Sequence, residues 1–285
     1  MKSWNQVTIV GVGLLGGSIG LALLERRLAR VVVGVGRRNS SLAKARQRGA
    51  VTTATTELTT GVADAELIVI CTPVASIVEQ ALTAAERCSE GALITDVGST
   101  KASITTEMDR CLNQTPHRRA TFVGSHPMAG SEKTGPEYAR ADLFEQRTVV
   151  ITPSTHTPAT ACDAIDEFWR SIGGITLRSS PSEHDQAVAS ISHLPHLVAA
   201  ALAASTDPSE LAFAGSGWLD TTRVAAGDVE LWRQILRDNQ RQVLESLSRF
   251  ENQLVAWRQA LESNDDEQLV ALLEAGKRNR DAVGN

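Results

Sequence analysis

Residues 7–23 read VTIVGVGLLGGSIGLAL, and this stretch decides the fold. Val7–Val10 is a short apolar run rich in β-branched residues, the composition of a buried strand. Gly11, Gly13 and Gly16 follow as G-x-G-x-x-G, and an apolar helical stretch, Ser18–Arg27, comes after them. Each glycine has a mechanical role in a strand–turn–helix unit. Gly11 permits a tight turn, Gly13 lets backbone approach a pyrophosphate, and Gly16 lets the helix pack on the strand. The helix N-terminus then offers unpaired N–H groups to phosphate, with Leu14 and Leu15 among the expected cofactor-binding residues. Val7–Leu24 is uncharged and 18 residues long, which is membrane-helix length. Its five glycines lower helix propensity and hydropathy and favour the strand–turn–helix reading.

Outward from this turn, short β-branched runs alternate with helical stretches. The runs are Val31–Val35, Leu67–Cys71, Ala92–Thr95, Thr121–Gly124 and Thr148–Thr152. The helical stretches are Ser41–Gly49, Ala75–Cys88, Lys101–Leu112 and Pro158–Ile172. Such alternation predicts an α/β fold, a Rossmann-type doubly wound parallel sheet covered on both faces. Ile175–Arg178 closes it, so the dinucleotide-binding domain is expected over 1–180. After Pro181 no strand pattern remains. Ser182–Ser205, Asp228–Glu262 and Asp265–Ala282 read as three helices of an all-helical domain over 181–285. Ser182 is the expected N-cap of the first, with Glu183 and Asp185 in its first turn, and Pro195 should bend it. The second carries a long apolar stripe, from Leu231 and Trp232 to Leu254 and Trp257, that predicts a homodimer through these helices.

The chain has 285 residues, 28 basic and 33 acidic, for a net charge of −5. That balance argues against a nucleic-acid partner or an anionic membrane surface. Cys71, Cys88, Cys111 and Cys162 match no zinc spacing and no C-x-x-C pair, and they read as reduced thiols of a cytoplasmic protein.

The second strand ends in Gly36, Arg37 and Arg38 rather than in the acid that would hold a ribose 2′-hydroxyl. Two guanidinium groups there suit a 2′-phosphate, so NADP is the favoured cofactor and NAD the other. Thr72 and Pro73 end the next strand, and Asp96–Ser99, including Gly98, end the one after; carboxyl ends of strands line the cofactor crevice. Among six histidines, His117 and His156 lie in polar loop stretches. His126 ends a strand, and His193 and His196 are three apart on one helix face. No set of acidic, Cys or His residues completes a metal site with them.

Several motifs now occur in order: GLLGGS, Thr72–Pro73, TDVGSTK at 95–101, GSHPMAGSEKTG at 124–135, SPSEHD at 180–185, SHLPH at 192–196 and GWLDTTRVA at 217–225. Together, over nearly the whole chain, they resemble the prephenate/arogenate dehydrogenases of tyrosine biosynthesis. The resemblance implies oxidative decarboxylation of a cyclohexadienol to 4-hydroxyphenylpyruvate or tyrosine. Hydride leaves C4 for the nicotinamide, the C4 hydroxyl loses a proton, and CO2 departs as the ring becomes aromatic. It implies that His126 accepts that proton, a task suited to an imidazole. Ser99 would orient the hydroxyl and the histidine, and Arg223 would bind a substrate carboxylate as a planar fork. By the same resemblance His196 contacts substrate, Ser131 supplies a hydroxyl, and Trp232 and Asp220 fall near the site. Bland roles stand beside these: a turn histidine, an Arg223–Asp220 bridge, and a helix cap at Ser99.

Two other functions compete. A β-hydroxyacid dehydrogenase or imine reductase shares the architecture but carries a lysine on the helix after the domain junction, and residues 183–198 contain none. A non-catalytic NADP-binding sensor would not need His126, Ser99 and Arg223 together. The sequence leaves open the choice between prephenate and arogenate, although Glu132 could favour an ammonium by charge.

Overall fold

The computed structural model describes residues 3–113, 119–130 and 133–284. His117, Ser131 and Glu132 lie outside the described residues. The first half contains β1 (Trp4–Val10), α1 (Leu14–Glu25), β2 (Ala29–Val35), α2 (Asn39–Gln47), β3 (Thr53–Thr55), α3 (Leu58–Val62), β4 (Leu67–Ile70), α4 (Val74–Arg87), β5 (Ala92–Asp96), α5 (Ala102–Asn113), β6 (Ala120–Pro127), β7 (Thr148–Thr152), α6 (Ala159–Ser171) and β8 (Ile175–Arg178). The strands form one sheet in the order β3-β2-β1-β4-β5-β6-β7-β8. Its first six positions follow the dinucleotide-binding arrangement, with the strand order reversing between β1 and β4.

Both faces of the sheet are covered, as β4 shows. Leu67 and Val69 join the core that contains Ile19, Leu23, Phe168 and Trp169. Ile68 and Ile70, pointing the other way, join Ile77, Ile94, Ile104 and Met108. All four β4 side chains are fully buried, and each contributes about 1.5–3 kcal/mol by leaving water. This explains why the strand reads as a continuous apolar run rather than an alternating one.

The sheet is not wholly parallel, contrary to the sequence expectation. β7 runs antiparallel to β6, with His126 opposite Val150, and β8 is parallel to β7. Antiparallel neighbours need no crossover helix, and the described residues between β6 and β7 contain only a short 3-10 turn, Pro136–Tyr138. The short β3 and α3 also escaped the pattern reading, because three and five residues carry too little periodicity.

The second half holds α7 (Pro181–Val188), α8 (Leu194–Ser205), α9 (Ser216–Thr222), α10 (Val229–Asp238), α11 (Gln240–Ser263) and α12 (Asp266–Asp281). The expected single helix over 182–205 is continuous, but a π-helical turn, Ala189–His193, joins α7 to α8 just before Pro195. Its cap is Ser180, not Ser182: Ser180 and Glu183 form a reciprocal capping box with Pro181 at the first helical position. The expected helix over 228–262 is two helices, broken at Asn239. Pro181–Ser205 is long and apolar enough to cross a membrane by length and composition alone. Yet His184, Asp185, His193 and His196 are buried along it, an unusual load for a lipid-exposed span. The 24-residue α11 buries only Val243, Ser246 and Ala260, while Leu244, Leu254, Val255 and Leu261 are exposed. Within one chain part of its apolar stripe is thus uncovered.

Candidate active site

The three glycines meet their mechanical requirements. Gly11 has φ +97°, and a Cβ there would lie 2.6 Å from the Cys71 carbonyl oxygen at the end of β4. A Cβ on Gly16 would lie 2.0 Å from the Gly11 oxygen, so α1 packs on the turn only because that side chain is absent. A Cβ on Gly13 would meet nothing within 4 Å, so open space adjoins the backbone where the phosphates of a dinucleotide would approach. Gly13 is the N-cap of α1 and no side chain caps it, which leaves the N–H groups of the first turn for such a ligand. These residues fit a dinucleotide. Thr72 adjoins Gly11 and hydrogen-bonds Gln80 at 2.6 Å, and Pro73 is the N-cap of α4. Leu15 packs on the core beside them. Gly98 donates its N–H to Asp96 Oδ2 at 2.9 Å and has no room for a side chain against Ile77. Arg37 and Arg38 are exposed beyond β2, and the backbone of Arg38 caps α2.

A cleft of about 1200 Å³ opens between the carboxyl ends of the strands and the helical half. Leu14, Ser99 and His126 line it from the sheet side, and His193, His196, Arg223 and Trp232 from the helical side. Thus six of the residues picked from sequence for this chemistry or its cofactor meet in one cavity. Asp220 does not: it is exposed on α9 and is not among the cleft residues. His156 pairs with Asp109 at the surface.

His126 is buried at the end of β6, and its Nδ1 lies 2.9 Å from Nε2 of His184. His184 Nδ1 lies 2.8 Å from Asp185 Oδ1. The Asp185 carboxylate also accepts the N–H groups of Lys101 (2.8 Å) and Ala102 (2.9 Å). It therefore caps the N-terminus of α5 from the other half of the molecule, rather than serving the first turn of its own helix. A carboxylate only accepts, so a neutral His184 carries its proton on Nδ1 and presents a bare Nε2. His126 must then donate from Nδ1, which leaves its own Nε2 bare. Burial, reinforced by the positive charge of Lys101, holds the His126 pKa well below the ordinary value of 6.5.

Behind His126, the adjacent Ser125 points the opposite way, as strand alternation requires. Its hydroxyl bonds the Asp96 carbonyl at 2.6 Å and receives the Trp169 indole N–H at 3.0 Å. Lys101, fully buried, pairs with Asp96 and donates to the Ser125 carbonyl at 3.1 Å. Burial pushes the Lys101 pKa down while Asp96 pulls it up. Across the cleft, His196 stacks on Trp232 with ring centroids 3.5 Å apart and planes 12° apart.

His184, Asp185 and Lys101 were not singled out from sequence as site residues, although they fall inside SPSEHD and TDVGSTK. His193 was noted only for its spacing, and Asn239 left no signal because it sits inside an apparently continuous helical pattern.

The chain matches the family profile described as prephenate dehydrogenase, nucleotide-binding domain, over residues 19–177. It matches prephenate dehydrogenase, dimerization domain, over residues 180–275. It is 32% identical to the prephenate dehydrogenase of Bacillus subtilis, over 98% of this chain and 76% of that one. It is 30% identical to the cyclohexadienyl dehydrogenase of Zymomonas mobilis, over 99% of this chain and 97% of that one. Among solved structures it resembles Aquifex aeolicus prephenate dehydrogenase in complex with hydroxyphenyl propionate and NAD+, with TM-score 0.89, 31% identity and 99% coverage of both chains. Synechocystis arogenate dehydrogenase superposes with TM-score 0.81 at 30% identity, over 98% of this chain and 99% of that one.

Proposed function

Because the chain belongs to the prephenate dehydrogenase family, we propose that its cleft converts prephenate or arogenate to 4-hydroxyphenylpyruvate or tyrosine, with His126 as the base. The protein is an NAD(P)-dependent oxidoreductase acting on prephenate/arogenate-type substrates. The observation that carries the residue assignment is the Asp185–His184–His126 relay, which leaves a bare His126 Nε2 in a residue lining the cleft.

A nicotinamide coenzyme held at the Gly11–Gly16 turn would supply the hydride acceptor. His126 Nε2 takes the proton of the C4 hydroxyl as the C4–H electron pair leaves. Its Nδ1–H remains donated to His184, so the imidazolium that forms is held by a histidine backed by a carboxylate. Ser99 orients the hydroxyl, and Arg223 grips a carboxylate with two parallel N–H groups. The C1–CO2 bond then breaks, and its electron pair completes the aromatic ring. His196, held flat by Trp232, borders the substrate, and Ser131 belongs to this reading as a further substrate contact.

We assign NADP as the preferred coenzyme, with NAD accepted. Arg37 and Arg38 stand exposed beyond β2, and residues 31–40 contain no acid, whereas the similar Aquifex aeolicus structure contains NAD+. The reading divides the chain at 180 and pairs two copies through the helices of 181–285, whose matching family profile is described as a dimerization domain. It places the enzyme in the cytoplasm, where buried thiols such as Cys88 and Cys162 stay reduced. Incubating the protein with each substrate and each coenzyme, and following the reduced-nicotinamide band, tests it. Turnover of at least one substrate is expected, and none with either would refute the assignment.

A further inference from the structure

The SHLPH segment and the break between α10 and α11 meet at one point. Asn239, the residue at the break, is buried. Its side-chain amide nitrogen donates to the Asp185 carbonyl oxygen at 2.7 Å and lies 3.2 Å from His193 Nδ1. The carbonyl can only accept, so the NH2 end of the amide must face it, and the second hydrogen of that NH2 is directed to His193. His193 Nδ1 is therefore the acceptor, and in the neutral ring the proton must be on Nε2.

That Nε2 has no hydrogen-bond partner among the described residues, although His193 is 1% exposed and lines the cleft. Its position is held on three sides: the π-helical turn Ala189–His193 sets its backbone, Asn239 holds Nδ1, and Trp232 packs edge-to-face at 6.1 Å. A buried donor without an acceptor is costly to keep, and π-turns concentrate at functional sites. Burial also brings the His193 pKa down to about 4, so the ring is a neutral, single-proton donor at neutral pH.

We propose that His193 donates its Nε2 proton in a hydrogen bond to a carboxylate oxygen of the substrate, and that Asn239 is the positioning residue that fixes this tautomer. The inference rests on the reaction proposed above, whose substrates carry two carboxylates. Their C4 hydroxyl is engaged by His126 and Ser99. The keto or ammonium group that distinguishes the two substrates cannot be the common partner, because an ammonium offers no acceptor.

Two measurements test it. The first is a long-range proton–nitrogen correlation spectrum of the ligand-free, full-length protein at neutral pH, with His193 assigned by comparison with His193→Gln. The expected pattern is a protonated Nε2 and a bare Nδ1, with the two forms mixing in Asn239→Leu. A proton on Nδ1, or an imidazolium, would overturn the proposal. The second is steady-state kinetics. His193→Leu should raise KM for substrate about ten- to hundredfold while changing kcat much less. His193→Gln should recover most of that loss, because its amide can accept from Asn239 and donate to substrate at once. An unchanged KM in the leucine variant, or a glutamine variant no better than leucine, would overturn it. If the wild-type enzyme turned over neither substrate, the reaction assignment and the carboxylate partner would fall together. The spectrum would still decide the tautomer by itself, including where the leucine variant failed to fold.

Discussion

His126 and His184 approach within 2.9 Å through Nδ1 and Nε2, with ring planes 72° apart. The contact joins the end of a strand in the nucleotide-binding half to the first helix of the other half. It fixes which nitrogen of His126 is free, and so which atom can act as a base.

Replacing that base should cost chemistry rather than binding. His126→Asn is expected to lower kcat by about 10²–10⁴ while leaving coenzyme affinity unchanged. A loss below tenfold, measured with saturating substrate and coenzyme, would remove His126 from its role.

Asp185→Asn gives a sharper test of the relay. Oδ1 accepts both from the Lys101 N–H and from His184, so an amide NH2 in that place would keep only the Ala102 N–H on its oxygen and would force the opposite tautomer on His184. His184 Nε2–H would then donate to His126 Nδ1, and the His126 proton would move to Nε2, the atom meant to accept. We expect kcat to fall about 10²–10⁴-fold with little change in KM, as in hydrolase triads where a relay carboxylate is neutralised. Activity near wild type would show that the relay does not set the tautomer.

The pH dependence follows from two lowered histidines. His126 is held below 6.5, so the acid limb of kcat/KM, which reports the free enzyme, should have its midpoint below 6.5. An anionic substrate favours the imidazolium, so the corresponding limb of kcat should lie at higher pH. Folding is linked to the same groups. Unfolded histidine binds protons from about pH 6.5 downward, while buried His126 and His193 do not. Stability is thus full above 6.5 and is lost as pH falls toward 4, at up to about 1.4 kcal/mol per pH unit for each. Urea melts at pH 7.5, 6 and 5 check the sign; a midpoint that does not fall would contradict it.

Coenzyme choice should respond to Arg37 and Arg38. Replacing both with alanine is expected to raise KM for NADP about tenfold or more and to leave KM for NAD within about twofold, because each charge-assisted bond to the 2′-phosphate contributes about 1.5–3 kcal/mol at most. Equal effects on the two coenzymes, measured side by side, would show that neither arginine reads that phosphate.

The sequence by itself determined most of the nucleotide-binding half. A glycine turn with one required positive φ at Gly11, strands buried on both faces and helices between them are local or periodic features, and the chemistry of each residue prescribes them. It also marked Ser99, His126, His196 and Arg223, because ordered motifs carry a family's site whatever the fold does between them. Only tertiary structure decided how those groups work. His126 and His184 are 58 positions apart, Asp185 and Lys101 84, and Asn239 and Asp185 54. Periodicity reports which face of an element is apolar, but not which polar atoms meet when two halves pack. The antiparallel turn of β7, the cap of α5 by Asp185 and the break at Asn239 are all settled by such meetings. A buried donor or acceptor must find its partner wherever the packed chain brings one.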